Sequence, residues 1–219
     1  WKFRKRSCGL INLRKLVYLI SPNKINNDFY NRLKKVLSKK NVKFFQLRLK
    51  KVKKSKIITI AKEIKKITKK YKVKLIINDH PNISKITNAD GCHLGQSDGS
   101  VINAKKYLKK KIIGVTCHNS IKLAKIAIKN NADYIAFGAF NKSRTKKVKF
   151  KANVSLIKKI KKTSNILVVA IGGINETNFK KLLLNKADFL AMSGYIWKNK
   201  KLKPSELLKK LKWRSMQMK

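Results

Sequence analysis

The segment NADYIAFG, residues 131–138, contains the pattern that decides the fold: Ala-Asp, then a short apolar run, then Gly. The pattern returns in NADGCHLG (88–95) and in KADFLAMSG (186–194). Each apolar run is typical of a buried strand, and each Asp lies between a helical segment and that strand. We therefore predict a turn or capping role for Asp90, Asp133 and Asp188 within a regular repeat of strands and helices.

Apolar runs short enough for strands recur along the whole chain, with a helical segment between most of them. Eight can be distinguished: 16–20, 42–49, 74–78, 91–95, 112–116, 134–138, 166–172 and 189–194. Nearly continuous apolar strands that alternate with helices are typical of a parallel sheet covered on both faces. Eight such units predict an α/β fold of one domain, a (β/α)8 TIM barrel. A doubly wound open sheet is the alternative, because periodicity does not show closure.

This prediction divides the chain into three parts. We place the barrel at residues 16–212, after a basic N-terminal lead-in (1–15) and before a C-terminal tail (213–219). The lead-in is basic and then apolar, but Asn12, Arg14 and Lys15 interrupt its apolar part. We therefore interpret it as the approach to the first strand and not as a signal peptide.

The charge of the chain is extreme, with 57 Lys and Arg against 9 Asp and Glu and a formal net charge of +48. In residues 26–40 the apolar side chains Phe29, Leu33, Val36 and Leu37 recur at helical spacing, so the lysines fill the opposite face. This distribution favours solvated helix faces over a nucleic-acid site, and we expect no specific nucleic-acid partner. A non-catalytic protein that binds polyanions remains an alternative.

The cysteines limit the class of protein further. Cys8, Cys92 and Cys117 are odd in number and far apart, which argues against a disulfide framework and a zinc site. Free thiols fit a reducing compartment, so we predict a cytoplasmic protein. No apolar run approaches the roughly 20 residues of a membrane helix, and no membrane partner is expected. The sequence leaves a homo-oligomer possible.

Most of the nine carboxylates have a structural interpretation, which leaves two for chemistry. Three are the aspartates of the repeat, which have a predicted turn or capping role. Four more lie on or at predicted helices, where surface or first-turn positions are expected. These four are Asp28, Glu63, Glu176 and Glu206. Asp79 and Asp98 remain, and both follow the carboxyl end of a predicted strand. In a parallel barrel that end is where functional sites are built.

Other polar residues come at the same ends of the strands. Gln46, Arg48 and Lys50 alternate along strand two, so their side chains share one face. Two carboxylates opposite cationic side chains suit Mg²⁺ bridged to a diphosphate, because Mg²⁺ takes few protein ligands. The pairs Gly172-Gly173 and Ser193-Gly194 suit a phosphomonoester, which backbone N–H groups at helix starts can bind. The residues thus suggest two phosphorylated ligands at one mouth.

The three histidines do not show a metal-binding spacing. His93 lies within a predicted strand, and we interpret it as a core histidine with its hydrogen bonds satisfied. His80 and His118 follow strands and are expected near the site.

Seven segments, in chain order, resemble the successive motifs of the thiamine phosphate synthase family. They are QLRLK, INDHPN, ADGCHLGQSD, GVTCHN, the loop SRTKK, AIGGI and SG. The resemblance extends from about residue 16 to 197. It implies a (β/α)8 barrel that joins a hydroxymethylpyrimidine diphosphate to a thiazole phosphate, releases pyrophosphate and uses Mg²⁺ as cofactor.

The resemblance also implies roles for individual residues. Gln46 matches a position that contacts the pyrimidine, and Asp79 and Asp98 match the Mg²⁺ ligands. Arg48, Lys50, Asn78 and Lys146 match positions that hold the diphosphate. Thr116 matches a hydroxyl near the leaving group, and Arg48, Thr116 and Lys146 are the implied catalytic positions. On the thiazole side, the matching positions are Ser143, Thr145, Gly173 and Ser193.

Two departures from the family pattern and one sister group bear on this interpretation. Lys142 stands where the family usually has Pro, with Ser143 in place of a common Thr, and Thr116 replaces Ser. Thiazole tautomerases are barrels that look similar, but their characteristic His would fall at Ala139. A different phosphate-binding barrel enzyme is a further alternative, although it would share the Gly-Gly site without QLRLK and INDH.

Overall fold

A computed structural model describes residues 16–142 and 148–211 of the chain and shows eight parallel strands in a closed barrel. The strands are β1 (Val17–Ile20), β2 (Val42–Leu47), β3 (Lys74–Asn78), β4 (Gly91–Leu94), β5 (Ile112–His118), β6 (Tyr134–Gly138), β7 (Leu167–Ile171) and β8 (Phe189–Met192). β1 pairs with both β2 and β8, so the barrel is closed. The predicted TIM barrel is confirmed, and the open-sheet alternative is wrong.

Helices connect the strands and cover the outside of the barrel. In the described residues they are α1 (Asn27–Leu37), α2 (Lys54–Lys70), α3 (Pro81–Ile86), α4 (Val101–Leu108), α5 (Ile121–Lys129), α6 (Val154–Thr163), α7 (Phe179–Leu184), α8 (Gly194–Trp197) and α9 (Pro204–Lys210). The predicted lead-in (1–15) and tail (213–219) lie outside the described residues, so that division of the chain stays a prediction.

The helices bury the apolar stripe that the sequence predicts. In α1, Phe29, Leu33, Val36 and Leu37 are buried, and the Asn26 side chain accepts a hydrogen bond from the Phe29 N–H at 3.1 Å. Such a cap satisfies one of the backbone donors that every helix start leaves free. The lysines of this helix face solvent, which confirms that they form a solvated face.

Alternation along each strand separates the barrel interior from the layer beneath the helices. Tyr18 and Ile20 of β1 point into the barrel, whereas Val17 and Leu19 pack against the helices. The interior cluster consists of Tyr18, Ile20, Phe44, Ile76, Tyr134, Ala136, Val169, Phe189 and Ala191. Large side chains from alternate strands thus fill the barrel, so that it is a packed core and not a pore.

The three repeated aspartates tie neighbouring strands together. The carboxylate of Asp90 accepts a hydrogen bond from the Leu75 N–H at 2.9 Å, that of Asp133 from the Ile113 N–H at 2.6 Å, and that of Asp188 from the Val168 N–H at 2.8 Å. Each Asp N–H in turn donates to a carbonyl on the preceding strand. The predicted structural role is therefore confirmed, and these carboxylates fix the strand register at the amino-terminal end of the barrel.

Candidate active site

A cavity of about 780 Å³ opens at the carboxyl ends of the strands. Side chains from β2, β3, β4 and β5 line one side of it, and the loops after β6, β7 and β8 line the other. The predicted residues Gln46, Arg48, Asn78, Thr116, Gly173 and Ser193 all line this cavity. The structure thus brings together polar groups that are far apart in the sequence.

Gln46, Arg48 and Lys50 were predicted to share one face of strand two, but only Gln46 lies on that strand. β2 ends at Leu47, so Gln46 points into the barrel and is buried, whereas Arg48 and Lys50 belong to the following loop. The Arg48 backbone N–H donates to the Ser21 hydroxyl at 2.9 Å, and its guanidinium lies 3.3 Å from the Asn23 Oδ1. Strand alternation therefore ends before Arg48, and loop contacts with the chain after β1 position it instead.

The two remaining carboxylates meet at the ends of β3 and β4. Asp79 follows β3 with a φ of 64°, its N–H donates to the His93 carbonyl at 2.8 Å, and the Lys50 ammonium contacts its carboxylate. The Asp98 carboxylate accepts from the Gly95 N–H at 2.8 Å. Desolvation raises the pKa of Asp98, and its contact with the Asp79 side chain raises it further. A cation bound beside the two side chains would favour the ionised form of Asp98.

Five side chains, each from a different strand, form a continuous line of hydrogen bonds across the barrel interior. The Gln46 Nε2 donates to the Tyr18 hydroxyl at 3.0 Å, and the Tyr18 and Tyr134 hydroxyls lie 2.7 Å apart. The Tyr134 hydroxyl is 2.9 Å from the His93 Nδ1, and the His93 Nε2 is 2.8 Å from the Thr116 Oγ1. Burial lowers the pKa of His93 to about 4, so its ring is neutral at physiological pH.

The loops after β7 and β8 form the opposite side of the cavity. Gly172 and Gly173 have φ values of 105° and 60°, and a Cβ at Gly173 would lie 2.2 Å from the Lys142 carbonyl oxygen. Glycine is required for this conformation and this close approach. The pair does not open a helix as predicted, because α7 begins only at Phe179. Ser193 directly precedes α8, and its hydroxyl donates to the Ser21 carbonyl at 3.1 Å.

Some predictions fall outside the described residues or differ from the structure. Ser143, Thr145 and Lys146 lie in the segment 143–147, which is outside the described residues. Glu176, predicted on or at a helix as a surface or first-turn residue, is exposed and lies in the loop before α7, where it also lines the cavity. Burial raises the pKa of Tyr195, and the Glu176 carboxylate raises it further.

A family model for thiamine monophosphate synthase matches residues 17–196. The match covers the barrel from the start of β1 into α8. The chain belongs to the thiamine monophosphate synthase family.

The relatives agree with this assignment. The thiamine-phosphate synthase of Pelagibacter ubique is 60% identical over 200 residues, which are 91% of this chain and 97% of the relative. That of Nitrosomonas eutropha is 40% identical over 178 residues, 81% and 84% of the two chains.

A solved structure shows the same fold. The thiamine phosphate pyrophosphorylase of Pyrococcus furiosus has a TM-score of 0.78, 23% sequence identity, and a match over 91% of this chain and 96% of that one. 3-Hexulose-6-phosphate synthase is also similar, with a TM-score of 0.66 and 14% identity over 89% and 98% of the chains. Likenesses at such low identity show the barrel alone.

Membership of the thiamine monophosphate synthase family decides between the open alternatives. The chain is an enzyme of thiamine biosynthesis, a transferase, and not a non-catalytic polyanion-binding protein. The relatives named above are synthases and not tautomerases. Among the helices that the structure describes, none combines the length and apolar character that crossing a bilayer requires.

Three buried residues of the site, His93, Tyr18 and Tyr134, were not predicted from the sequence to have a functional role. His93 is buried as predicted, yet both of its ring nitrogens reach hydroxyls that connect it to Gln46 and Thr116. Tyr18 and Tyr134 received no functional interpretation because a tyrosine in an apolar strand is usually a packing residue. The signal that could have found them is their hydroxyls, which need partners wherever the strand is buried.

Proposed function

We propose that the chain joins 4-amino-2-methyl-5-hydroxymethylpyrimidine diphosphate to 4-methyl-5-hydroxyethylthiazole phosphate, giving thiamine phosphate and pyrophosphate. One observation carries this proposal: Asp79, directly after Asn78, contacts Asp98, and Asn78 and Arg48 line a cavity that the glycine loop after β7 also lines. The names of the relatives support the same substrates.

The donor set at β3 and β4 fits Mg²⁺. Asp79 and Asp98 provide carboxylate oxygens, and Mg²⁺ usually takes one or two such ligands together with substrate phosphate oxygens and waters. In residues 16–142 and 148–211 there is no group of three or more His, Cys, Asp or Glu that could hold a metal ion without other ligands. The ion would supply positive charge against the departing diphosphate.

Cationic side chains would hold the diphosphate beside this pair. Arg48 lines the cavity, and the Lys50 ammonium contacts Asp79, so both lie within the same corner of the mouth. Asn78 ends β3 directly before Asp79 and lines the cavity, and we assign Lys146 to the same anion by family resemblance. These groups stabilise charge that develops on the leaving oxygen, which is where fixed positive charges lower the barrier most.

The carbon–oxygen bond to the diphosphate breaks first, which leaves a stabilised pyrimidinylmethyl cation. The thiazole nitrogen then attacks this carbon, so the reaction needs no protein nucleophile. Gln46 orients the pyrimidine, and the Thr116 hydroxyl donates to the leaving group. The protein supplies positions and charges, which suffice when both reactants are held together.

The loops after β7 and β8 would bind the thiazole phosphate. Gly173 lines the cavity, with its carbonyl held by the Asn178 Nδ2 at 2.9 Å, and the Ser193 hydroxyl is held by its bond to the Ser21 carbonyl. Ser143 and Thr145 are assigned to the thiazole side by family resemblance. The two anions would then bind at opposite sides of one mouth, with the thiazole nitrogen directed towards the pyrimidine carbon.

An assay with both substrates tests this proposal directly. Purified protein should form thiamine phosphate and pyrophosphate in the presence of Mg²⁺, and EDTA should stop the reaction. Arg48→Ala should lose most of this activity while the far-ultraviolet circular dichroism stays unchanged, whereas Lys35→Ala, at an exposed position of α1, should keep it. A folded protein that forms no product, or that only isomerises the thiazole phosphate, would overturn the proposal.

A further inference from the structure

The hydrogen bonds between Gln46 and Thr116 have a direction that follows from counting protons. Each hydroxyl has one proton to donate, and a neutral imidazole carries one N–H. Because the Gln46 amide donates to Tyr18, the Tyr18 proton goes to the Tyr134 oxygen, and the Tyr134 proton goes to the His93 Nδ1. The imidazole proton then lies on Nε2 and is donated to Thr116.

This direction determines what each end presents to the cavity. The Thr116 oxygen accepts from His93, so its own proton is free to point at a ligand oxygen. At the other end the Gln46 amide donates an N–H to Tyr18, so its Oε1 remains as an acceptor for a ligand. The exocyclic amine of an aminopyrimidine is a donor, and a diphosphate is an acceptor. Both ends therefore match the two parts of the proposed substrate.

Only one other set of donor and acceptor roles allows all four hydrogen bonds between these five side chains. If the Gln46 end accepted a proton from Tyr18, every bond would reverse, the imidazole proton would move to Nδ1, and Thr116 would have to donate to His93. Thr116 would then have no proton for the leaving group. The ends of the line are thus coupled, because one cannot change without the other.

The residues in the middle are held rigidly. Tyr18 and Tyr134 are 1% exposed, and their rings meet edge to face with centroids 5.7 Å apart. The Tyr134 ring also stacks on the His93 ring, with centroids 5.6 Å apart. Buried hydrogen-bond lines of this kind strengthen each other, and a broken link leaves an unsatisfied polar group.

We propose that Tyr18, Tyr134 and His93 are positioning residues that set the orientation of the Gln46 amide and the Thr116 hydroxyl as one unit. For its effect on the reaction, this inference rests on the proposed function. The orientation itself is a property of the ligand-free protein. It links recognition of the pyrimidine to stabilisation of the leaving group through the interior of the barrel.

The position of the His93 proton provides the test. Protein labelled with ¹⁵N in its histidine rings should show His93 as the Nε2–H tautomer at neutral pH, with its signals assigned by their loss in His93→Asn. Gln46→Glu places a carboxylate that only accepts at the far end, so it should shift His93 to the Nδ1–H tautomer. Tyr134→Phe combined with Gln46→Glu should remove this response. Tyr71→Phe, at the end of α2, is the matched control and should change nothing.

A second variant keeps the test decisive if Gln46→Glu does not fold. Tyr18→Phe disconnects Gln46 and should give a mixture of His93 tautomers. An unchanged tautomer in both Gln46→Glu and Tyr18→Phe would overturn the inference. In the enzymatic assay, Tyr134→Phe should lower kcat about three- to tenfold, as expected for one hydrogen bond, and leave the KM of thiazole phosphate unchanged.

The two proposals fail in different ways. An inactive wild-type protein would overturn the proposed function, while the tautomer measurement on ligand-free protein would still decide whether the line of hydrogen bonds transmits orientation. An active protein in which Tyr134→Phe alters neither kcat nor the His93 signals would overturn the positioning role alone.

Discussion

The ring of Tyr134 lies directly over the backbone of Gly114, so that a Cβ added to this glycine would stand 1.8 Å from the Tyr134 Cζ. The two residues are partners in the pairing of β5 with β6. The absence of a side chain at Gly114 thus provides the space through which Tyr134 crosses the barrel to reach His93 and Tyr18.

Gly114→Ala should therefore destabilise the protein and lower its activity. The added methyl group would force the Tyr134 ring out of a packed interior, and overpacking of this kind typically costs about 1–3 kcal/mol. Urea denaturation measures the change in the free energy of unfolding. In a Tyr134→Val background the same substitution should cost less, since no ring remains to collide. Equal costs in both backgrounds would show that the ring contact is not the cause.

The fold could be predicted from the sequence because its signal is local and repeated. Each strand is a short apolar run, and Asp90, Asp133 and Asp188 mark three strand starts in the same way. Closure was predicted only from the number of units, because it depends on the pairing of β1 with β8, which are far apart in the sequence and leave no local signal. The end of β2 at Leu47 could not be predicted either, because the alternation of apolar and polar residues in the sequence continues to Lys50.

The candidate site was predictable where a residue follows a strand and was not predictable inside the barrel. Gln46, Asn78 and Thr116 line the cavity as expected from their strand-end positions. His93 was correctly predicted as buried, but its connection to Tyr134 depends on the approach of β4, β5 and β6 in three dimensions. Glu176 reaches the mouth through a loop whose path the sequence does not show.

The paired carboxylates predict a defined response to substitution. Asp98→Asn should leave the fold intact, weaken Mg²⁺ binding, and lower kcat/KM at fixed Mg²⁺ by at least about 10²-fold, because the charge at the leaving group would be lost. Calorimetric titration with Mg²⁺ in the presence of pyrophosphate measures the binding separately from catalysis. Asp28→Asn is the matched control, since that carboxylate is exposed on α1. Unaltered Mg²⁺ binding in Asp98→Asn would contradict the assignment.

The glycine loop after β7 predicts that a substitution at Gly173 weakens the binding of thiazole phosphate selectively. Gly173→Ala introduces a Cβ at φ 60°, 2.2 Å from the Lys142 carbonyl oxygen, so the loop must move. We expect the KM of thiazole phosphate to rise about tenfold or more, which corresponds to about 1.4 kcal/mol, while the KM of the pyrimidine diphosphate changes little. Steady-state kinetics with each substrate varied in turn measures both constants. A rise of similar size in both would argue against two separate anion sites.

The strand-end aspartates predict how stability depends on pH. Burial acts to raise the pKa of Asp90, but hydrogen bonds from Lys65, the Leu75 N–H and Lys74 bring it below its ordinary value of 3.8. The folded state therefore favours the ionised form. This contribution is present above the unfolded pKa and is lost as the pH falls through the folded pKa. Asp90→Asn should thus cost stability at pH 7, by about 1–2 kcal/mol.

The cost of Asp90→Asn should shrink as the pH falls below about 4, because the carboxyl of the unfolded wild-type chain is then protonated, and it should vanish below the lower pKa of the folded state. Urea denaturation of both proteins between pH 7 and pH 3 measures this difference directly. Asp28→Asn serves as the control, because its partner Arg32 is 3.9 Å away and both side chains are solvated. It should cost less than about 0.5 kcal/mol at either pH. A cost for Asp90→Asn that is independent of pH would show that shape, and not charge, is what the lysines and the Leu75 N–H recognise.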